Sequence, residues 1–147
     1  MRRRMVGLVR TGLLATLAAV TATTMTAALA RAVGVVFEVP DGGETIPLSG
    51  IAFVTGVFSV VGIVIAAALL RWSSHPSGHF VLTTVALTAV SLVPPWLIGA
   101  SASTSVTLVL LHLVAAALVI PAVAGSLRAA SSATAGLDPV RAGEPSR

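Results

Sequence analysis

The stretch GIAFVTGVFSVVGIVIAAALL, residues 50–70, decides the fold of this chain. It contains no charged residue, and it ends at Arg71 and Trp72. An α-helix rises about 1.5 Å per residue, so roughly 20 apolar residues cross the ~30 Å of hydrocarbon in a bilayer. This stretch therefore predicts a helix that spans a membrane, with Trp72 at the level of the lipid headgroups.

Three further apolar segments are long enough to span a bilayer, and they are residues 11–30, 80–98 and 106–127. A membrane-spanning strand would alternate polar and apolar side chains over about ten residues, and none of the segments does so. Only a helix satisfies its own backbone polar groups within lipid. The sequence predicts an all-α fold, a bundle of four transmembrane helices over residues 11–128.

The composition agrees with a membrane protein. Of the 147 residues, 56% are hydrophobic and only 10% are charged, and the mean hydropathy is +1.00. A small soluble domain needs far more polar side chains to cover its surface. The absence of cysteine excludes disulfides, thiolate nucleophiles and cysteine metal sites.

All nine basic residues are arginine, which together with the many Ala, Val and Leu residues suggests a GC-rich bacterial genome. The pI of about 11.7 raises the question of nucleic-acid binding. The N-terminal arginines, however, lie beside an apolar span and no aromatic residues are interleaved with them. We therefore attribute the charge to membrane topology and expect no nucleic-acid partner.

The distribution of the arginines predicts the orientation. With a cytoplasmic N-terminus, only Arg31 lies outside, and eight arginines lie inside: Arg2, Arg3, Arg4, Arg10, Arg71, Arg128, Arg141 and Arg147. Short cytoplasmic segments carry an excess of arginine and lysine. We expect a multi-pass protein of the bacterial plasma membrane with both termini cytoplasmic. Residues 1–10 then form a basic N-terminus, and residues 129–147 a disordered tail rich in Ser, Ala, Gly and Pro.

A second interpretation of the N-terminus stays open. The arginines at positions 2–4, the apolar run and Ala28-Leu29-Ala30 are similar to a signal peptide with its cleavage site. Cleavage would leave three spans. The apolar run is longer than the apolar region of an ordinary signal peptide, which favours a retained helix.

Four stretches carry a resemblance: FEVPDGGETIPLSG at 37–50, AAALLRW at 66–72, LTAVSLVPP at 87–95 and LHLVAA at 111–116. Together they resemble a family of small actinobacterial integral membrane proteins known only as a domain of unknown function. The resemblance covers roughly residues 11–127. It implies a four-helix membrane protein and no assigned activity.

His112 is the only ionisable side chain within a predicted span. Ionisable residues at membrane depth often mark proton relays, ligand contacts or interhelical hydrogen bonds. Ser105, Ala115 and Ala116 fall on the same helix face, so a position inside the bundle is plausible. The simpler interpretation is a hydrogen bond to a Ser or Thr of a neighbouring helix, and a ligand or proton role is the alternative.

The third predicted helix carries hydroxyl side chains at Thr84, Thr88 and Ser91, which lie within about 60° of each other around the helix axis. Such a stripe lines a narrow path or bonds helices together. The second helix has small residues at three- and four-residue intervals, namely Ala52, Gly56, Ser59, Gly62 and Ala66. This small-residue face predicts close helix packing within the chain, in a homo-oligomer or with another membrane protein.

The first outer loop gathers three carboxylates, Glu38, Asp41 and Glu44, around two glycines. Oxygen ligands at this density suit a hard cation such as Ca²⁺, but the spacing is not that of an EF-hand. A solvated hairpin in which Arg31 pairs with one acid is the simpler interpretation. We expect no bound metal here.

Other candidate features are weaker. His75 and His79 are four residues apart, but Pro76 and Gly78 between them favour a turn over a metal site. A haem would need two copies of His112 from a dimer, and we expect no cofactor. Pro121 removes one backbone hydrogen bond from the fourth helix and predicts a kink.

No nucleotide-binding, nucleophile-base or paired-carboxylate motif is visible in the sequence. We therefore expect a non-enzymatic integral membrane protein with a structural or accessory role, surrounded by lipid. The alternative is a small transporter or permeation subunit that uses His112 and the Thr84, Thr88 and Ser91 stripe.

Overall fold

The residues that the structure describes form five helices: α1 (Arg2–Ala32), α2 (Leu48–Trp72), α3 (Pro76–Ser91), α4 (Pro94–Leu97) and α5 (Ala102–Ala135). The computed structural model describes residues 2–37, 45–97 and 101–135. With α3 and α4 taken together, four helical stretches in this part of the chain are long and apolar enough to cross a membrane. The prediction of an all-α bundle with four spans is confirmed.

The first and last helices are longer than the spans predicted for them. α1 begins at Arg2 and has 31 residues, so the basic segment is helical too. α5 has 34 residues and ends at Ala135, where a disordered tail from residue 129 was expected. Residues 129–135 are helical because this alanine-rich segment favours a helix and Ala130 is buried against the bundle. Residues 136–147 lie outside the described residues.

Prolines divide the third span, which was expected to be one helix over 80–98. The helix begins earlier, at Pro76, where the missing proline N–H needs no partner. It ends at Ser91, because Pro94 and Pro95 provide no N–H groups to continue it and Pro94 disfavours a helical conformation at Val93. The short helix α4 then continues in the same span.

α1 and α2 cross at a glycine. A Cβ atom built on Gly12 would lie 2.6 Å from Cγ1 of Ile63, so only glycine allows this approach. Further along, a Cβ atom on Gly56 would lie 3.8 Å from Val20. The small-residue face of α2 therefore packs against α1 within the chain at Gly56. A Cβ atom on Gly62, another member of this face, would have no atom within 4 Å.

Within residues 2–37, 45–97 and 101–135, buried side chains form two clusters, one near each end of the bundle. We call the end that holds Arg2 and Ala135 the terminal end, and the opposite end the loop end. The cluster towards the terminal end contains Leu8, Ala19, Ala66, Phe80, Val119, Val123, Ala124 and Leu127. The cluster at the loop end contains Ala27, Phe37, Ile51 and Leu111. α1 contributes to both clusters, so the segment considered as a signal peptide forms part of the core.

Large apolar side chains cover much of the outer surface. Leu17 is 67% exposed, Phe53 71% and Leu82 70%, and each lies on a different span. Soluble proteins rarely expose contiguous apolar surface on this scale. The surface suits a lipid environment.

Candidate functional site

α3 has one packed face, and the predicted hydroxyl stripe lies on it. Thr84, Thr88 and Ser91 are half-buried, while Phe80 at one end of the same face and Pro95 beyond its other end are buried. The neighbouring side chains on the other sides of α3 are exposed. The stripe therefore faces the bundle and not the lipid.

Two of the three hydroxyl groups bond to their own helix. Thr84 Oγ1 donates to the carbonyl of Phe80 at 2.7 Å, and Ser91 Oγ donates to the carbonyl of Thr88 at 2.7 Å. Such bonds satisfy a hydroxyl group within lipid without a neighbouring helix. The Thr88 hydroxyl has no hydrogen-bond partner among the residues that the structure describes.

His112 is half-buried, and it also bonds to its own helix. Its Nδ1 atom lies 2.7 Å from the carbonyl oxygen of Leu108. A carbonyl only accepts hydrogen bonds, so Nδ1 carries the hydrogen in this contact. The sequence predicted a hydrogen bond from His112 to a hydroxyl of a neighbouring helix. In the structure, Nδ1 instead bonds to the backbone of its own helix.

The packing of α5 brings His112 and the stripe to one level. Near the loop end, Ser105 Oγ donates to the carbonyl of Pro95 at 2.7 Å. Towards the terminal end, Phe80 belongs to the same cluster as Val123. The helices are thus antiparallel, and a rise of about 1.5 Å per residue puts His112 opposite the turn from Thr88 to Ser91.

His112 also lies on the side of α5 that faces α3 and α4. It follows Ser105 by seven residues, which turns the helix by about 700°, so both side chains project within roughly 20° of each other. Ser105 bonds to Pro95 of α4. We call this region, formed by His112, Thr84, Thr88 and Ser91, the α3–α5 seam. Its role in function stays a prediction.

Contacts between the end of α1 and the loop before α2 stabilise the loop end, and the sequence analysis did not predict them. Arg31 donates from Nη2 to the carbonyl of Ile46, and its guanidinium carbon lies 5.7 Å from the centroid of the Phe37 ring. The N–H of Ile46 donates to the carbonyl of Phe37 at 2.8 Å. Arg31 was expected to pair with an acid, but Glu38, Asp41 and Glu44 lie outside the described residues.

Two further threonine contacts join separate helices or segments. Thr104 Oγ1 donates to the carbonyl of Val36 at 2.8 Å, and the hydroxyls of Thr23 and Thr55 lie 3.3 Å apart. The sequence analysis assigned no role to these threonines. Which of them meet depends on the register between helices, and no local pattern encodes that register.

His75 is the N-cap residue of α3 and His79 lies in the first turn of that helix, where the sequence had favoured a non-helical turn between the two histidines. Nδ1 of His79 is 2.7 Å from the Ser73 hydroxyl, and Nδ1 of His75 is 3.1 Å from the Ser74 hydroxyl. Over the described ranges, no three His, Cys, Asp or Glu side chains come close enough to hold a metal ion.

The architecture agrees with a comparison to known families. The model of a family of unknown function (DUF6069) matches residues 3–129. The chain belongs to this family. The match covers all four spans of this DUF6069 chain and includes both sides of the α3–α5 seam. It confirms the resemblance to a family of unknown function seen in the sequence. Searches of curated proteins and of solved structures gave no match.

Proposed function

We propose that this chain is a structural or accessory protein of a bacterial plasma membrane, without enzymatic activity. The supporting observation is the bonding in the α3–α5 seam. Thr84, Ser91 and His112 each bond to a carbonyl of their own helix. These own-helix bonds engage the Thr84 and Ser91 hydroxyls and Nδ1 of His112, which supports a packing role for the three side chains.

The arginine distribution supports an orientation with both termini in the cytoplasm. Arg2 and Arg128 lie towards the terminal end of the bundle, whereas Arg31 lies at the loop end. The positive-inside rule places the arginine-rich end in the cytoplasm. The exclusive use of arginine and the abundance of Ala, Val and Leu support a bacterial genome rich in GC, and the resemblance to actinobacterial membrane proteins seen in the sequence supports an actinobacterial origin.

α3 is the helix that we propose contacts another membrane protein or a second copy of the chain. The span formed by α3 and α4 has the smallest buried share of the four spans, and away from the single packed face of α3 it exposes Leu82 at 70% and Val90 at 68%. These side chains can pack against a further helix without disturbing the seam.

Photo-crosslinking in native membranes tests the accessory role. A photoreactive residue at Leu82 or Val90 should give one discrete protein adduct, whereas the same residue at Leu17 on α1 serves as an equally exposed control. Adducts of lipid only at all three positions would contradict a partner on α3. An adduct with the mass of a second copy would identify a homo-oligomer.

A small transporter is the second candidate, and one observation favours it. Thr88 Oγ1 and His112 Nε2 have no hydrogen-bond partner within the described part of the chain, and the helix register puts both residues at one level. A proton or a small polar solute could bridge them.

Flux into proteoliposomes separates the two candidates. The accessory role predicts the same proton flux as in empty vesicles, with or without His112→Ala. Transport predicts a flux that His112→Ala abolishes and that Thr88→Val lowers, because within the described residues the Thr88 hydroxyl has no hydrogen-bond partner, whereas Thr84 and Ser91 bond to their own helix.

A further inference from the structure

One face of α1 combines exposed arginines with exposed leucines. Arg3, Arg10, Leu14 and Leu17 follow each other at intervals of seven, four and three residues, which keeps them within about 60° around the helix axis. All four are exposed, Leu14 at 68% and Leu17 at 67%. We call these four residues the Arg3–Leu17 face.

The depth of this face matches the boundary between headgroups and acyl chains. Residues 11–30 between Arg10 and Arg31 extend about 30 Å as a helix, which is the thickness of the hydrocarbon. Arg10 therefore lies at the hydrocarbon boundary. Arg3 lies about 10 Å further out along the helix, and the headgroup layer of one leaflet is about 5–8 Å thick. The two guanidinium groups thus lie on either side of the phosphate layer.

Among the residues that the structure describes, the arginines of this face have no protein partner. Neither Arg3 nor Arg10 forms a hydrogen bond or ion pair in the described portion of the structure, and none of the five acidic residues belongs to that portion. Guanidinium groups bind phosphate oxygens through paired hydrogen bonds. The exposed leucines that follow toward the bilayer centre offer apolar contact to the attached acyl chain.

We propose that the Arg3–Leu17 face is a binding site for an anionic phospholipid. The lipid phosphate lies between the guanidinium groups of Arg3 and Arg10, and an acyl chain lies along Leu14 and Leu17. This site goes beyond the accessory role, because it concerns which lipid the helix selects. It requires only that α1 spans the membrane.

Native mass spectrometry of the full chain, released from detergent with defined lipids, tests the site. The purified protein is titrated with phosphatidylglycerol or with phosphatidylcholine of the same acyl chains. We expect preferential binding of phosphatidylglycerol, and a loss of about thirtyfold in its affinity for R3Q/R10Q, because each arginine near an anionic surface contributes about a factor of five.

Two control variants distinguish binding at a specific site from a general effect of the protein's net positive charge. R141Q/R147Q removes the same charge from the C-terminal segment and should retain the affinity for phosphatidylglycerol. R3K/R10K keeps the charge and should weaken binding less than R3Q/R10Q. Equal losses in R141Q/R147Q and R3Q/R10Q, or an unchanged affinity in R3Q/R10Q, would overturn the proposal.

The source of the phosphate is tested with inorganic phosphate and with L14A/L17A. Millimolar inorganic phosphate should not displace the lipid, whereas L14A/L17A should weaken phosphatidylglycerol binding by removing the contact with the acyl chain. Displacement by inorganic phosphate, or full affinity in L14A/L17A, would show a simple anion site and refute the lipid site. None of these readouts depends on a partner at α3 or on flux through the seam.

Discussion

Adding one methyl group at Gly12 should destabilise the bundle at the crossing of α1 and α2. The Cβ atom of Gly12→Ala would lie 2.6 Å from Cγ1 and 2.8 Å from Cδ1 of Ile63. Carbon atoms in favourable contact are about 3.5–4.0 Å apart, so the overlap is about 1 Å. Cγ1 is bonded directly to the branched Cβ of Ile63, so it moves only if the side chain changes rotamer or α2 shifts.

The expected magnitude is a balance of two effects. Overpacking of this kind costs about 1–3 kcal/mol, whereas replacing glycine by alanine inside a helix contributes about 0.5–1 kcal/mol of stability. Gly12→Ala should therefore lower the free energy of unfolding by about 1 kcal/mol. Gly62→Ala is the matched control, because its Cβ atom would meet nothing within 4 Å. It should be neutral or slightly stabilising.

Equilibrium unfolding in mixed micelles, with SDS as the denaturant, measures both variants. Ile63→Ala removes the two clashing atoms, so the double variant Gly12→Ala/Ile63→Ala should be more stable than the sum of the single changes predicts. Equal stability of Gly12→Ala and Gly62→Ala, or strict additivity with Ile63→Ala, would refute the close approach at Gly12.

Three further changes test other contacts, each by the same unfolding measurement unless stated. Phe80→Ala should lower the free energy of unfolding by about 2 kcal/mol because it leaves a cavity; the loss is smaller than in the core of a soluble protein, since lipid also solvates apolar groups. Phe53→Ala removes an exposed ring and should change stability little. Equal losses in the two variants would contradict the packing of Phe80. Thr23→Val should lower stability by about 0.6 kcal/mol through the lost interhelical bond. Thr24→Val should raise stability, because the Thr24 hydroxyl is buried with no partner in the described part of the chain. A change of the same sign in both variants would disprove this difference. Arg31→Gln should speed hydrogen exchange at the loop amide that bonds to Phe37, and an unchanged rate would show that Arg31 does not hold the loop.

The four spans could be predicted from the sequence because their signal is local. A run such as residues 50–70 must be helical within lipid whatever its neighbours are. Hydropathy reports only the part of a helix that lies in lipid, so it missed the extension of α5 to Ala135. Pro94 and Pro95, which divide the third span, were evident in the sequence. Because they lie near the end of that span, the sequence did not show that the helix already ends at Ser91.

The candidate site was predictable in its residues but not in its bonding. The position of His112 within a span and the spacing of Thr84, Thr88 and Ser91 are properties of single helices. The level of His112 relative to Thr88 depends on the register of α5 against α3, which is set by contacts such as Ser105 to Pro95. The hydrogen-bond acceptor of His112 is the backbone carbonyl four residues earlier, at Leu108. Every residue inside a helix has such a carbonyl within reach, so no feature of the sequence favours it over a hydroxyl of a neighbouring helix.

The crossing pattern of the chain is tested most directly by labelling single cysteines in intact cells. The chain has no cysteine, so a single substitution at Thr45, Ser74, Ser101 or Ser132 gives an unambiguous signal with a membrane-impermeant maleimide. We expect Thr45→Cys and Ser101→Cys to react from outside, and Ser74→Cys and Ser132→Cys to react only after permeabilisation. Reaction of the Ser101 and Ser132 variants from the same side would contradict a bundle that crosses the membrane four times.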